Sequence, residues 1–259
     1  MRRLCALLFL VVPPFPAADT AEPTRTPVVV ELFTSEGCSS CPPADALLTK
    51  LNDLQPIRGV HVIALEEHVD YWDRSGWRDP FSSPEFTGRQ KSYVQQLRLE
   101  AAYTPQMVID GRAELVGNNS GAVLSELAKA ARSAKIPVHL TLREKSADHV
   151  SLAVQVGATK SSGDVLVAIT ESKLASDVAR GENAGHNLKH SAVVRKLIPI
   201  GTLKVGEGFS GETEVQLAPE WKPENLSAVV FIQERGGGRT LGATEIALAN
   251  LPSIRPRPR

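Results

Sequence analysis

Two cysteines carry the clearest chemical signal in the chain. They stand in Ser35-Glu36-Gly37-Cys38-Ser39-Ser40-Cys41-Pro42, a C-x-x-C spacing that places both sulfurs in one turn. Disulfide exchange needs an attacking thiolate and a second thiol close enough to resolve the mixed disulfide. Where such a pair opens a helix, unpaired N–H groups and the helix dipole favour the thiolate of the first cysteine. Cys38 is thus the expected nucleophile and Cys41 the resolving thiol. A loop this short removes little entropy from the unfolded chain, so a stabilising staple explains the pair poorly. Half a zinc site competes with the redox reading, but no second cysteine pair completes four thiolates. Copper is a further alternative, since Cys38, Cys41 and His68 are soft ligands suited to Cu(I). Against it, Pro42 follows the pair and the only methionines are Met1 and Met107. No cofactor and no metal ion are expected.

A strand and a helix must hold these cysteines. Thr26 to Thr34 (TPVVVELFT) reads as a buried strand, broken by Gly37. Cys38 to Leu54 reads as a helix, with Leu47, Leu48, Leu51 and Leu54 along one face and Pro42 and Pro43 in its first turn. Val60 to Leu65 is a second strand, which makes a βαβ unit with parallel strands. Residues 66–102 form an aromatic-rich insertion with one helix, Pro84 in its first turn and Phe86, Tyr93, Leu97 and Leu99 as its more buried positions. Gln106 to Ile109 and Ala113 to Val116 flank the hairpin signal Asp110-Gly111, and a helix from about Ser120 to Lys135 follows. The order β-α-β-insertion-β-β-α is the thioredoxin arrangement. The insertion carries His68, Asp70, Tyr71, Trp72, Asp73, Trp77, Arg78 and Asp79 just past a strand end, where sites in open α/β sheets lie. Glu36 or His68 is expected to tune the cysteines or relay protons, and Thr104, Tyr71 and Trp72 to border the substrate. A rigid packed loop with hydrogen-bonded polar tips is the plainer alternative.

Four long stretches, VVELFTSEGCSSCPPADALL, HVDYWDRSGWRDPFSSPEFTGRQ, YTPQMVIDGRAELVG and RGENAGHNLKHSAVV, resemble the thioredoxin-like, exported bacterial family 1223 of domains of unknown function. The resemblance spans nearly the whole chain after residue 21. It implies a thioredoxin-like fold and export, and supplies no substrate. In thioredoxin-like proteins a cis proline at the start of the third sheet strand faces the C-x-x-C and helps present backbone to substrate. Thr104-Pro105 stands in that place, so Pro105 joins the expected catalytic set.

Beyond Ile136-Pro137, period-two alternation recurs at 138–142, 150–156 and 165–169, with further strands expected at 192–198, 213–217, 227–233 and 240–248. Short alternating strands at this spacing suggest a β-sandwich. The expected organisation is a thioredoxin-like α/β domain at 26–135 followed by an all-β sandwich-like domain at 136–251. In the second, Arg180 to His186 and Lys189-His190 form a polar loop that can dock on the first domain or stay solvated. His186 and His190 would share a metal only if helical, and Gly185 weakens that.

The ends read differently. Arg2, Arg3 and the apolar run Leu4 to Val12, with Ala17, Ala18 and Ala21 behind it, read as a signal peptide over 1–21, too short to span a bilayer. Cys5 is expected to leave with it. Pro252 to Arg259 reads as a disordered tail. The chain is 42% hydrophobic and 22% charged with a formal net charge of zero, too apolar for disorder and without the basic excess that nucleic acid demands. The sequence therefore points to a periplasmic or secreted thiol-disulfide oxidoreductase acting on a protein or small-molecule thiol or disulfide, with no nucleic acid and no stable membrane insertion after signal cleavage. Its leading rival is a binding or assembly protein that keeps the pair as a fixed disulfide.

Overall fold

The computed structural model describes residues 25–146 and 148–249. The expected signal peptide, Cys5 within it, and the expected tail lie outside the described residues. β1 (Thr26–Thr34) and β2 (Val60–His68) pair in parallel over their full lengths, joined by α1 (Pro42–Leu54). β3 (Gln106–Ile109) lies antiparallel on the other side of β1, and β4 (Ala113–Val116) pairs with β3. Side chains alternate between faces along a strand, and the faces divide accordingly. Val28, Val30 and Leu32 of β1 with Val62 and Ala64 of β2 pack under Leu48 and Leu51 of α1 and under Val123 and Leu127 of α3 (Ser120–Ala130). Val29, Ile63 and Leu65 face the other way, toward Phe86 of α2 (Pro84–Gln96).

The second half of the chain continues the same sheet. Its strands are β5 (Val138–Lys145), β6 (His149–Val156), β7 (Gly163–Glu171), β8 (Leu174–Asp177), β9 (Asn187–His190), β10 (Val193–Leu203), β11 (Phe209–Gln216), β12 (Leu226–Gln233) and β13 (Thr240–Ala247). The large sheet runs β13-β12-β7-β10-β2-β1-β3-β4. The sheet β11-β6-β5 shares an apolar core with it, Leu152, Val154 and Val215 meeting Val167, Ile169 and Val230. β8 and β9 form a separate hairpin whose connecting loop reaches over the start of α1.

This corrects the expected fold class, a thioredoxin-like α/β domain followed by an all-β sandwich. Of the described residues 43% are strand and 18% helix, and strands from both segments share one mixed eight-stranded sheet with three α-helices among the described residues. The reason lies at the edge of β2. Backbone groups on an open edge seek a partner, and β10 supplies it, with Val193 opposite Glu66 and the Glu66 N–H donating to the Ala192 carbonyl at 2.9 Å. Alternation marks a strand without saying which edge it joins. Among the described residues no helix is long and apolar enough to cross a membrane.

Candidate functional site: a disulfide over a buried ionic ring

Cys38 and Cys41 are joined as a disulfide. The helix begins later than expected, at Pro42, with Cys41 as its N-cap. Cys38 sits in the preceding turn, held by its N–H to Ser35 O and by Cys41 N–H to its own carbonyl. Two prolines without N–H groups fit only a first helical turn, which fixes the start at residue 42. Both cysteines are buried, at 1% and 0% exposure, and the Cys38 Sγ lies 3.4 Å from the Ser40 Oγ.

Three elements wall the pair. Trp72 closes on Gly37 so tightly that a Cβ there would stand 3.1 Å from the Trp72 Cβ. Its indole N–H donates to the Thr104 Oγ1 at 2.8 Å. The Thr104–Pro105 bond is cis, and Pro105 meets Ala44 of α1 around Gly117, where an added Cβ would touch both. The loop between β8 and β9 forms the third wall. Asn183 donates from Nδ2 to the carbonyls of Glu36 and Cys38, at 2.8 and 3.0 Å, and Glu182 accepts from both the N–H and the hydroxyl of Ser39.

Beneath the disulfide turn lies a closed ring of ionisable groups. The Glu36 Oε1 stands 3.2 Å from His190 Nε2, and His190 Nδ1 is 2.7 Å from Glu66 Oε1. The same Glu66 oxygen is 3.3 Å from His68 Nε2, and His68 Nδ1 is 2.7 Å from Asp79 Oδ2. Asp79 Oδ2 in turn accepts the Glu36 backbone N–H at 2.8 Å, returning to the residue two before Cys38. Glu36 Oε2 accepts from the Trp77 indole and Glu66 Oε2 from the Ser191 N–H. The period of two explains the gathering: Glu66 and His68 continue the series Val62, Ala64 on the α1 face of β2.

Burial and neighbouring charge set the protonation of this ring. Burial alone would deprotonate both imidazoles, but the Asp79 charge and hydrogen bond carry His68 well above its usual value, and Glu66 and Glu36 carry His190 to about 9. Burial likewise opposes ionisation of Glu66 and Asp79, yet the imidazolium beside each pulls both down to about 2. Asp45, one turn into α1 with its Oδ1 accepting from the Thr34 hydroxyl at 2.6 Å, is different. Burial, then repulsion from Glu66, pushes it up to about 7.

Of the residues expected at the site, Cys38, Cys41, Glu36, His68, Thr104, Pro105 and Trp72 gather around the disulfide or the ring beneath it. Tyr71 does not join them by any direct bond; it is 38% exposed and its hydroxyl donates to Gln90. His186 and His190 share no site, because β9 buries His190 and leaves His186 outside. Sequence reasoning missed Asp45, Glu66 and the role of His190, and treated Asp79 and Trp77 as insertion residues only. A signal existed for Asp45: it falls on the face of Leu48 and Leu51, where a carboxylate is out of pattern.

Fold and site together define a β-rich protein with a helix-capping disulfide set over a buried carboxylate–imidazole ring. The chain belongs to the family described as "Protein of unknown function (DUF1223)", whose model matches residues 29–233. It is similar to the crystal structure of protein AGR_C_4864 from Agrobacterium tumefaciens, at 28% identity over 90% of this chain and 99% of that chain, with a TM-score of 0.68. A domain of the outer membrane lipoprotein Omp28 from Porphyromonas gingivalis matches at 13% identity and TM-score 0.30, over 44% of this chain and 88% of that chain. That likeness is too slight to carry an argument. A comparison with curated proteins found no match.

Proposed function

We propose that this is an exported thiol–disulfide exchange protein whose reactive bond is Cys38–Cys41. One observation carries the reading: the disulfide caps a helix directly above a closed ring of buried carboxylates and imidazoles. Strongly perturbed ionisable groups gathered at one place mark functional sites, and a staple closing so small a loop has no use for them. In the oxidised form a substrate thiolate attacks the Cys38 Sγ and breaks the Cys38–Cys41 bond. The electron pair passes to the Cys41 Sγ, which takes up a proton. A second substrate thiolate then attacks the substrate sulfur of the mixed disulfide, releasing Cys38 as a thiolate and the substrate as a disulfide. Two electrons have moved from a dithiol to the protein, and the reverse sequence reduces a substrate disulfide. Asp45, one turn from Cys41 and with a pKa pushed up to about 7, is an acid able to exchange that proton near neutrality. Substrate access requires the loop bearing Glu182 and Asn183 to move aside, since it lies over the turn.

A second reading, a fixed disulfide in a binding or assembly protein, is favoured by the near-complete burial of both cysteines. The reduction potential separates the two, measured by equilibration with glutathione or dithiothreitol and alkylation of free thiols. A value between about −120 and −270 mV is expected for exchange; one below about −300 mV would mark a structural bond and end the exchange reading. Export to an oxidising compartment, which a stable disulfide favours, is checked by the mass of the mature chain in the periplasmic fraction.

A further inference from the structure

The ring below the disulfide leaves three fully buried atoms without a hydrogen-bond partner among the described residues: His68 Nε2, His190 Nε2 and Glu36 Oε1. The neighbours of each stand at ion-pair distance, 3.3 Å for His68 and Glu66 and 3.2 Å for His190 and Glu36, and form no well-made hydrogen bond. Unsatisfied buried polar atoms are rare, and each costs about 1–3 kcal/mol. Two of them are imidazole nitrogens, and an imidazole that releases its proton offers a cation a lone pair there.

Geometry supports this independently. Donor atoms of Glu66, His68 and His190 lie within 4.8 Å of one another. Zn²⁺ bound at about 2.0–2.1 Å in a tetrahedron separates its ligand atoms by about 3.3 Å, so a small inward shift of the side chains closes the set. His68 already presents the arrangement a metal-bound imidazole needs. Its Nδ1 is held by Asp79 Oδ2, and the Asp79 carboxylate is fixed in turn by the N–H groups of Glu36 and Phe81. His190 lies between Glu66 and Glu36, so one nitrogen can bind an ion while the other keeps a carboxylate partner. Phe81 packs edge-on against both rings, at 5.3 and 5.6 Å, and shuts the place off from solvent.

We propose that Glu66, His68 and His190 bind a divalent transition-metal ion, Zn²⁺ in the first instance, with Glu36 held against the far nitrogen of His190 as its carboxylate partner. Two imidazoles with carboxylates are a borderline donor set of the kind Zn²⁺ takes. The site uses no cysteine, so it stands whether or not the disulfide exchanges. Its buried position gives it an ordering role: the ion would tie the end of β2 to β9 and, through Glu36, to the turn that carries Cys38.

The test uses untagged, oxidised, chelator-stripped protein titrated with Zn²⁺ and with Co²⁺, both natively and during refolding. The expected result is one equivalent bound, with the visible ligand-field absorption of a four-coordinate Co²⁺ site. Zn²⁺ in hundredfold excess over its Kd raises the melting temperature by about 5–10 °C. His68→Gln and Glu66→Gln should lose both effects, and the exposed His186→Ala should keep them. The assignment fails if the unaltered protein takes up no stoichiometric ion under either condition, a result that does not depend on any variant folding. It also fails if His68→Gln binds as the unaltered protein does, or if Co²⁺ shows sulfur-to-metal charge transfer, which would move the ion to the cysteines.

Discussion

The two faces of the central sheet each bury a cluster of charge, and they solve the same problem in opposite ways. On the α2 face, Glu31 and Glu67 meet Arg89, which also bonds Tyr93 and Gln233 while the Tyr93 hydroxyl donates to Glu31. One guanidinium, charged at every accessible pH, anchors that group. On the α1 face no Arg or Lys belongs to the ring; positive charge comes from His68 and His190, each of which can give it up. The first cluster keeps its positive charge at every pH and fits a structural part, although burial and Glu31 raise the Glu67 carboxyl within it well above its usual value. The second can lose its positive charge, and it is the one beneath the disulfide.

Removing the permanent cation should have the largest effect on either face. Arg89→Met leaves Glu31 and Glu67 buried without a cation, Glu31 keeping only the Tyr93 hydroxyl, at a cost of about 3–5 kcal/mol, read from chemical denaturation. The disulfide lies on the far side of the sheet, so the potential of the Cys38–Cys41 pair should not move. A shifted potential would mean that the two clusters act as one.

The next effect is the pH dependence that Asp45 brings to the α1 face. Asp45 faces the Thr34 hydroxyl, the carboxylate of Glu66 and the imidazoles of His68 and His190. Burial, then Glu66, raises its folded pKa from 3.8 to about 7, so the folded chain holds a proton that the unfolded chain has lost. The stability that proton confers is complete below about pH 4 and disappears as pH rises through 7. Between pH 5 and 7 chelator-treated protein should lose roughly 2 kcal/mol through this group, and Asp45→Asn should flatten that slope. Parallel slopes for the two proteins would show that Asp45 stays ionised.

These residues also show how far the sequence could be read. The cysteine pair, the strand before it, the parallel β1–β2 pairing, the hairpin at Asp110-Gly111 and most later strands were legible, because each rests on local periodicity or turn chemistry. The shared eight-stranded sheet was not, because pairing of β10 with β2 joins residues more than a hundred positions apart and alternation carries no address. The buried ring was half legible for the same reason. Glu36 and His68 were singled out because they adjoin the cysteines or a strand end, whereas Glu66 matters only because His190 is carried to it by β9.

A smaller effect concerns the cover over the disulfide. Asn183→Ala removes two buried hydrogen bonds, to the carbonyls of Glu36 and Cys38, worth about 1 kcal/mol or more. The resulting looser loop should speed reduction by dithiothreitol about tenfold at 1.4 kcal/mol. An unchanged rate would show that this loop does not limit access.

The smallest effect belongs to the other residue of that loop. Glu182 accepts from the Ser39 N–H and hydroxyl, at 3.1 and 2.6 Å, but does so at the exposed surface, where water competes for both donors. Glu182→Gln keeps an acceptor oxygen and should change the reduction rate by under about twofold. If instead it speeds reduction as much as Asn183→Ala, the cover is held by surface charge. Its opening would then accelerate with added salt, since screening acts on exposed groups and hardly on a buried amide. Reduction rates for both variants at low and high ionic strength therefore decide whether access to the pair is governed from inside the site or from its rim.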